Sequence, residues 1–313
     1  MRIAIVGAGG LGGLYGGLLA RAGLDVTFIA RGRSLAALRE RGLAVKLASG
    51  DEFHVPVRAT DDPREVGPVD LAWFCVKTYD LDDAARRAIP LISPDTMVLP
   101  IQNGVEAPDR LAAVLGREHV LGGVGRAGGT LVAPGRVEQK SARATVVLGE
   151  LDGGTSARTE RLRRTLQAAG LDPRLSTDIQ AELWDKFVQA CAIFGLDTLL
   201  RLPAATYLRY PKTAELFRGL MYEVYAVGRA RGVNIPEGTV ERLWDTLSKL
   251  FAANPGVRSS MYFDVVAGRR LEIEAASGAV VRLGREVGVP TPLNFAICAA
   301  LEPFAAGRPT AES

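Results

Sequence analysis

The sequence has few of the side chains that most often carry chemistry or cross-link a chain. Its 313 residues include only two histidines, three cysteines and six lysines, and aromatic residues make up 6%. Cys75, Cys191 and Cys298 are odd in number, widely spaced and without a CxxC pair. This pattern excludes a disulfide framework and a thiolate-rich metal site, so we expect no bound metal. A reducing cytoplasm fits such cysteine usage.

The chain also lacks a strong excess of charge of either sign. Lysine and arginine together number 38 against 35 acidic residues, for a net charge of +3. No basic patch points to a nucleic acid partner. Residues 3–20 carry no charge, but seven of them are glycine, which argues against a signal peptide and against a membrane helix. With 48% hydrophobic residues, the composition is that of a soluble globular protein of one large or two medium domains.

Short apolar runs alternate with helical patterns in the first half of the chain. We predict strands at residues 2–6, 25–30, 69–76 and 96–101, and helices at 10–22, 33–42, 79–90 and 105–115. This alternation predicts an α/β Rossmann-type domain with ligands at the carboxyl ends of parallel strands. Strand-like stretches from about 119 to 149 indicate antiparallel additions at one edge of the sheet, before a helix at 155–169 and a strand at 172–175.

After Thr177 the pattern becomes helical. We predict helices at 179–202, 211–231, 236–252, 271–286 and 292–303. The expected organisation is therefore a Rossmann-type domain over 1–177 and an all-α domain over 178–313. The apolar helix faces could pair two chains in a homodimer or form the core of the helical domain.

A glycine-rich motif follows the first predicted strand and opens a helix. Its residues, Gly7-Ala8-Gly9-Gly10-Leu11-Gly12, match the GxGxxG pattern of dinucleotide-binding proteins. Gly7 allows a tight turn, Gly9 lets the backbone approach a pyrophosphate, and Gly12 lets the helix pack on the strand. The alternative is a helix that is rich in glycine only for packing. We expect dinucleotide binding.

The end of the second predicted strand indicates which dinucleotide is bound. An acidic residue there would hydrogen-bond the ribose 2′-hydroxyl of NAD, but the chain has Arg31. A guanidinium offers a planar set of donors to a 2′-phosphate, so we expect NADP(H), with Arg33 as a second contact. The alternative is that both arginines are solvated surface charges.

Reduction of a carbonyl by a nicotinamide needs a proton donor. His54, in a predicted hairpin, and His119, at a strand start, lie away from the carboxyl ends of predicted strands, so we expect a lysine. Lys77 and Asn103 follow two successive strands at those ends. Lys186 lies in the first helix after the domain change, where partial burial would lower its pKa. The alternative for Lys186 is a surface lysine whose stem lies along apolar residues.

Together these features resemble the ketopantoate reductase (2-dehydropantoate 2-reductase) family. The matching pieces run in the family's order over nearly the whole chain: IVGAGGLGG at 5–13, IAR at 29–31, CVKT at 75–78, QNG at 102–104, ELWDKF at 182–187, SSM at 259–261 with Asp264, and LEIEAASGAVVRLGREVGVPTP at 271–292. The resemblance implies a Rossmann domain, a helical domain, and NADPH-dependent reduction of ketopantoate to pantoate, a step of pantothenate and coenzyme A biosynthesis.

The resemblance also implies roles for individual residues. Lys186 would be the general acid and a substrate contact, and Asn103 would touch both nicotinamide and substrate. Lys77 would contact the cofactor, Glu272 would hold the nicotinamide ribose, and Ser260 would bind substrate. We therefore expect Lys186, Asn103 and Glu272 to be the catalytic residues.

Some positions depart from the family pattern. Ala190, Phe194 and Ala204 stand where substrate-binding asparagines are usual, and Ser277-Gly278 replaces an Asn-Gly pair. Loss of amide contacts would weaken ketopantoate binding. One alternative is therefore a related reductase of a bulkier or more apolar 2-oxo acid or of an imine. Another is a non-catalytic NADP(H)-binding protein, against which the presence of Lys186, Asn103 and Glu272 together argues.

Overall fold

The computed structural model describes residues 1–309, and the last four residues of the expected helical domain lie outside this range. The chain forms two compact units. The first contains Met1–Gln102 and Glu106–Glu182, and the second contains Asn103–Val105 and the chain from Leu183 onward. The three residues Asn103–Val105 therefore belong to the second unit, although the chain on both sides of them belongs to the first.

Twelve strands lie within the described residues, all of them in the first unit. They are β1 (Arg2–Val6), β2 (Asp25–Ile29), β3 (Leu43–Lys46), β4 (Glu52–Val55), β5 (Arg58–Thr60), β6 (Leu71–Phe74), β7 (Met97–Pro100), β8 (Leu121–Arg126), β9 (Gly129–Ala133), β10 (Arg136–Gln139), β11 (Thr145–Glu150) and β12 (Asp172–Leu175). The helices of this unit are α1 (Gly10–Arg21), α2 (Gly32–Arg41), α3 (Leu81–Arg87), α4 (Ala107–Leu115) and α5 (Ala157–Ala168).

The main sheet is parallel and has the strand order β5-β2-β1-β6-β7. Its strands β1, β6 and β7 are buried almost throughout, as expected for short apolar runs covered on both faces. The order changes direction at β1, so β1 and the strands beside it mark the switch point at which such sheets bind ligands. The prediction of an α/β Rossmann-type domain is confirmed.

The additional strands do not all extend one edge of this sheet, as the sequence suggested. They divide between a sheet of order β4-β3-β10-β9 and a sheet of order β12-β11-β8, and each contains one parallel pair. The physical reason is that α1 has two faces to bury. A Cβ on Gly16 would lie 2.5 Å from the Phe28 ring in the main sheet, whereas one on Gly13 would lie 2.5 Å from Val137 in β10. Much of the glycine content of α1 thus serves its packing between two sheets.

The second unit is helical. From the boundary onward the helices are α6 (Ile179–Leu200), α7 (Ala204–Tyr207), α8 (Pro211–Ala230), α9 (Thr239–Ala253), α10 (Ser260–Val266), α11 (Ser277–Glu286) and α12 (Pro292–Leu301). This confirms the prediction of an all-α C-terminal domain. The helix expected at 271–286 is interrupted: Ile273–Ala275 forms a short 3-10 helix, and Ala276 breaks the regular backbone before α11. Over residues 1–309, no helix is both long and apolar enough to cross a membrane.

Candidate active site

The turn between β1 and α1 has glycines with different requirements. Gly7 has a φ of +106°, and a Cβ on it would lie 2.8 Å from the backbone nitrogen of Val76. A Cβ on Gly12 would lie 1.9 Å from the carbonyl oxygen of Gly7, so helix and strand approach each other closely there. Gly9 has an ordinary φ of −81°, and no atom of the described chain lies within 4 Å of the position of its Cβ.

The open space at Gly9 fits a bound dinucleotide. Gly9 is the N-cap of α1, which carries no acidic residue in its first turn and no side-chain cap. Helix N-termini with accessible backbone N–H groups bind phosphates. Gly10, by contrast, packs against β9, because a Cβ on it would lie 2.1 Å from the carbonyl oxygen of Gly129. The sequence of the motif alone does not indicate this contact with a residue so far along the chain.

Arg31 follows β2 and is the N-cap residue of α2. Its half-exposed guanidinium lies between two carboxylates, 3.7 Å from Asp80 and 3.8 Å from Asp83. These distances exceed those of good hydrogen bonds, so the guanidinium remains available to a phosphate. Arg33, two residues further on, is exposed. Sequence reasoning did not identify the two aspartates, which belong to the segment after β6.

Gln102 ties together the carboxyl ends of β6 and β7. Its Nε2 donates hydrogen bonds to the carbonyl oxygens of Phe74, at 2.9 Å, and Val76, at 3.1 Å. The bonds hold the segment that leads into Lys77, which precedes a 3-10 helix at Thr78–Asp80. The Gln102 side chain is buried, and its Oε1 has no hydrogen-bond partner among the described residues. The sequence pointed to Asn103 in this motif and not to Gln102.

In the second unit, the Asn103 segment lies against the turn that carries Glu272. Gly104 has a φ of +86°, and a Cβ on it would lie 2.6 Å from the carbonyl oxygen of Ala275. Glu272 is buried and directly precedes the 3-10 helix that contains Ala275. Two of the expected catalytic residues, 169 positions apart in the sequence, therefore lie on adjoining segments.

Lys186 is half-buried on α6, and Ser260 is the exposed first residue of α10. Both belong to the second unit, as do Asn103 and Glu272. Helical spacing puts Ala190, Phe194 and Asp197 on the same face of α6 as Lys186. Of these, Ala190 and Asp197 are buried, and Phe194 is half-buried.

Asp197 is a buried carboxyl group that the sequence reading did not single out. It is 1% exposed, accepts a hydrogen bond from the Tyr207 hydroxyl at 2.9 Å, and accepts another from the Ser259 backbone N–H at 2.7 Å. Burial raises the pKa of this carboxyl to about 6, against the opposing effect of these bonds. An aspartate inside an apolar stretch of a helix was the available signal.

Both histidines contact backbone carbonyl oxygens. The His119 ring nitrogen Nδ1 lies 3.0 Å from the Thr96 oxygen, and His54 Nε2 pairs with the Arg41 oxygen. Burial raises the pKa values of the Cys75 and Cys191 thiols, which disfavours reactive thiolates. No group of three or more His, Cys, Asp or Glu side chains within residues 1–309 is arranged to hold a metal ion.

A dinucleotide-binding turn at the switch point of a parallel sheet, joined to a helical unit, is the architecture of a class of two-domain NAD(P)-dependent oxidoreductases. The family models make the assignment more specific. Residues 3–153 match the family described as "Ketopantoate reductase PanE/ApbA", and residues 178–305 match its C-terminal domain. The chain belongs to the ketopantoate reductase family.

Individual relatives are similar over almost their whole length. The 2-dehydropantoate 2-reductase of Mesorhizobium japonicum is 31% identical over 98% of this chain and 99% of its own. That of Archaeoglobus fulgidus is 32% identical over 94% of each chain. The crystal structure of 2-dehydropantoate 2-reductase from Geobacter metallireducens is 33% identical, with a TM-score of 0.89 over 96% of this chain and 99% of its own.

Proposed function

We propose that this chain is an NADPH-dependent oxidoreductase that reduces a 2-oxo acid, and that its substrate is 2-dehydropantoate, converted to pantoate for pantothenate and coenzyme A synthesis. The observation that carries the proposal is the family match in both parts of the chain, residues 3–153 and 178–305. Relatives named 2-dehydropantoate 2-reductase support it at about 30% identity over nearly full length.

NADP(H) is the proposed cofactor, and it would supply the hydride that reaches the carbonyl carbon. Its pyrophosphate would lie at the turn of residues 7–12, where the space beside Gly9 fits a ligand. Arg31 would bind the 2′-phosphate, and Lys77 would contact the cofactor. We assign these contacts to a domain of residues 1–177.

The catalytic and substrate contacts are assigned to residues 178–313 together with Asn103. As hydride adds to the carbonyl carbon, negative charge develops on the oxygen, and the Lys186 ammonium would donate a proton to it. The Asn103 side chain would orient nicotinamide and substrate, and Glu272 would hold the nicotinamide ribose. Ser260 would donate a hydrogen bond to the substrate.

A second candidate is reduction of a bulkier or more apolar 2-oxo acid. Ala190 and Phe194 favour it, because they put apolar surface on the helix face that carries Lys186. The test is NADPH oxidation by the purified protein with ketopantoate and with a panel of branched and aromatic 2-oxo acids. We expect the highest kcat/KM with ketopantoate. A preference of about a hundredfold for it would exclude the second candidate, and the reverse preference would exclude the first.

We further propose that the protein works in the cytoplasm as a homodimer. The three cysteines are free in the structure, as in a reducing compartment. Phe263, Val266 and Phe295 of the second unit are each more than half exposed, and such apolar surface favours association. Light scattering across a dilution series is expected to give twice the chain mass of 33.3 kDa. The single-chain mass at every concentration would contradict the homodimer.

A further inference from the structure

Asp197 joins three segments of the helical unit. Its carboxylate lies on α6 and is 1% exposed. One oxygen, Oδ1, accepts from the Tyr207 hydroxyl of α7 at 2.9 Å, and the other, Oδ2, accepts from the backbone N–H of Ser259 at 2.7 Å. A charge buried to this degree costs folding free energy unless its hydrogen bonds compensate for the lost hydration. A carboxylate at this position is therefore a candidate for a functional role.

The Ser259 bond fixes the beginning of α10. Ser259 is the N-cap of this helix, and its Oγ accepts a hydrogen bond from the Tyr262 N–H at 3.2 Å. Residues 252–257 before it are exposed, whereas Ser259 is buried. Ser260, the proposed substrate contact, is the next residue. The position of Ser260 therefore depends on a residue that is anchored to α6 by Asp197.

Helix α6 also carries the proposed proton donor. Lys186 and Asp197 are 11 residues apart, which is about three turns, so they lie on one face. We propose that Asp197 is a positioning residue for substrate binding, which holds the N-terminus of α10 and its Ser260 in a fixed relation to the Lys186 face of α6. This inference rests on the proposed function.

The charge of Asp197 controls this anchor. Both oxygens of the carboxylate accept hydrogen bonds, and a protonated carboxyl must use one oxygen as a donor, so protonation weakens one of the two bonds. The titratable and charged groups that act on the Asp197 carboxyl are Tyr207 on α7 and Arg258 next to Ser259, and the Arg258 charge favours the carboxylate. We therefore expect KM for the 2-oxo acid to rise as the pH falls below about 6.

The experiment compares Asp197→Asn with the wild-type protein. Tyr207 and Ser259 donate to different oxygens of the carboxylate, and in the amide one of these two positions becomes an NH2 group that cannot accept. We expect KM for the 2-oxo acid to rise about tenfold or more, because one hydrogen bond to a charged group is lost. The kcat and the Kd for NADPH should change little, and the rise of KM at acid pH should disappear. An unchanged KM, or a variant that keeps the acid dependence, would overturn the proposal.

Tyr207→Phe is the matched variant, since it removes one donor and keeps the Asp197–Ser259 bond. Because the Tyr207 bond lowers the pKa of Asp197, its loss should move the rise of KM to higher pH. If KM of Tyr207→Phe begins to rise at the same pH as KM of the wild-type protein, the proposal is overturned. This test holds even if Asp197→Asn fails to fold.

Ser260→Ala separates this inference from the proposed function. If this variant leaves KM unchanged, the substrate contact itself is wrongly assigned. If it raises KM while Asp197→Asn does not, the assigned contact stands and the role of Asp197 is refuted.

Discussion

Gly9 and Gly12 belong to the same glycine-rich motif, yet their surroundings differ. At Gly12 a methyl group would collide with the backbone of Gly7, 1.9 Å away. At Gly9 the backbone angles are ordinary, and the described chain leaves the position of a methyl group open. Packing therefore accounts for Gly12, whereas no packing contact requires glycine at position 9, where we propose that the pyrophosphate binds.

Alanine at the two positions should separate stability from cofactor binding. Gly9→Ala is expected to keep the wild-type free energy of unfolding within about 1 kcal/mol, because alanine adopts this backbone conformation without strain. Its affinity for NADPH should fall about tenfold or more, since the methyl group would occupy the approach to the pyrophosphate. Gly12→Ala should lose about 1–3 kcal/mol of stability through overpacking. Urea unfolding measures the free energy of unfolding, and calorimetric titration measures the affinity for NADPH. Unimpaired NADPH binding by Gly9→Ala would contradict a pyrophosphate site beside Gly9.

Lys186 tests whether the chain catalyses a reaction or only binds a nucleotide. Lys186→Ala removes the proposed proton donor, and positioned general acids contribute roughly 10²- to 10⁴-fold to rate. We expect kcat to fall by that order while NADPH affinity, measured by fluorescence titration, stays near the wild-type value. Turnover that survives the substitution would mean that another residue is the acid.

At the scale of elements, the main sheet is held at its ligand-binding edge by a side chain. Gln102 donates to the carbonyl oxygen of Phe74, the last residue of β6, and to that of Val76, two residues beyond the end of this strand. Lys77 follows directly. The geometry of the proposed cofactor contact therefore depends on an amide from the neighbouring strand end.

Two substitutions of Gln102 distinguish the loss of these bonds from a change of charge. Gln102→Leu removes a hydrogen bond from each of two carbonyl oxygens, of which that of Phe74 still accepts from the Ile101 N–H at 3.3 Å. It should cost about 1–3 kcal/mol of unfolding free energy, with weaker NADPH binding. Gln102→Glu places a carboxyl among carbonyl oxygens, so its folded-state pKa should rise above the unfolded value of about 4.3. Its stability should then fall as the pH rises above that value. Unfolding at several pH values checks this, and an equal pH dependence in both variants would contradict the explanation.

At the scale of the whole molecule, the division into two compact units falls inside a helix. The sequence changes character near Thr177, where strands stop and helices begin, but α6 starts at Ile179 and the second unit begins at Leu183, inside that helix. The compositional change marks where secondary structure changes. The division into units depends on which residues pack together. The first turn of α6 is helical but still belongs to the first unit.

The excursion of Asn103–Val105 into the second unit is also a property of the tertiary structure. In the sequence, Asn103 belongs to a loop after a Rossmann strand. The structure places its segment beside the turn at Ala275, and glycine at 104 is needed for its positive φ and for that close approach. The sequence pattern carries no information on contacts so far apart in the chain.

The sequence by itself determined the parallel sheet, the helical second half and the glycine-rich turn between β1 and α1, because each depends on local periodicity or on a short motif. Only the tertiary structure decided that the extra strands form two further sheets, one of which packs on α1, that Gln102 holds the strand ends, and that Asp197 anchors Ser259. These features depend on contacts between distant residues and on burial. The sequence shows that Asp197 lies in an apolar stretch, but only the fold makes it a fixed acceptor of two hydrogen bonds.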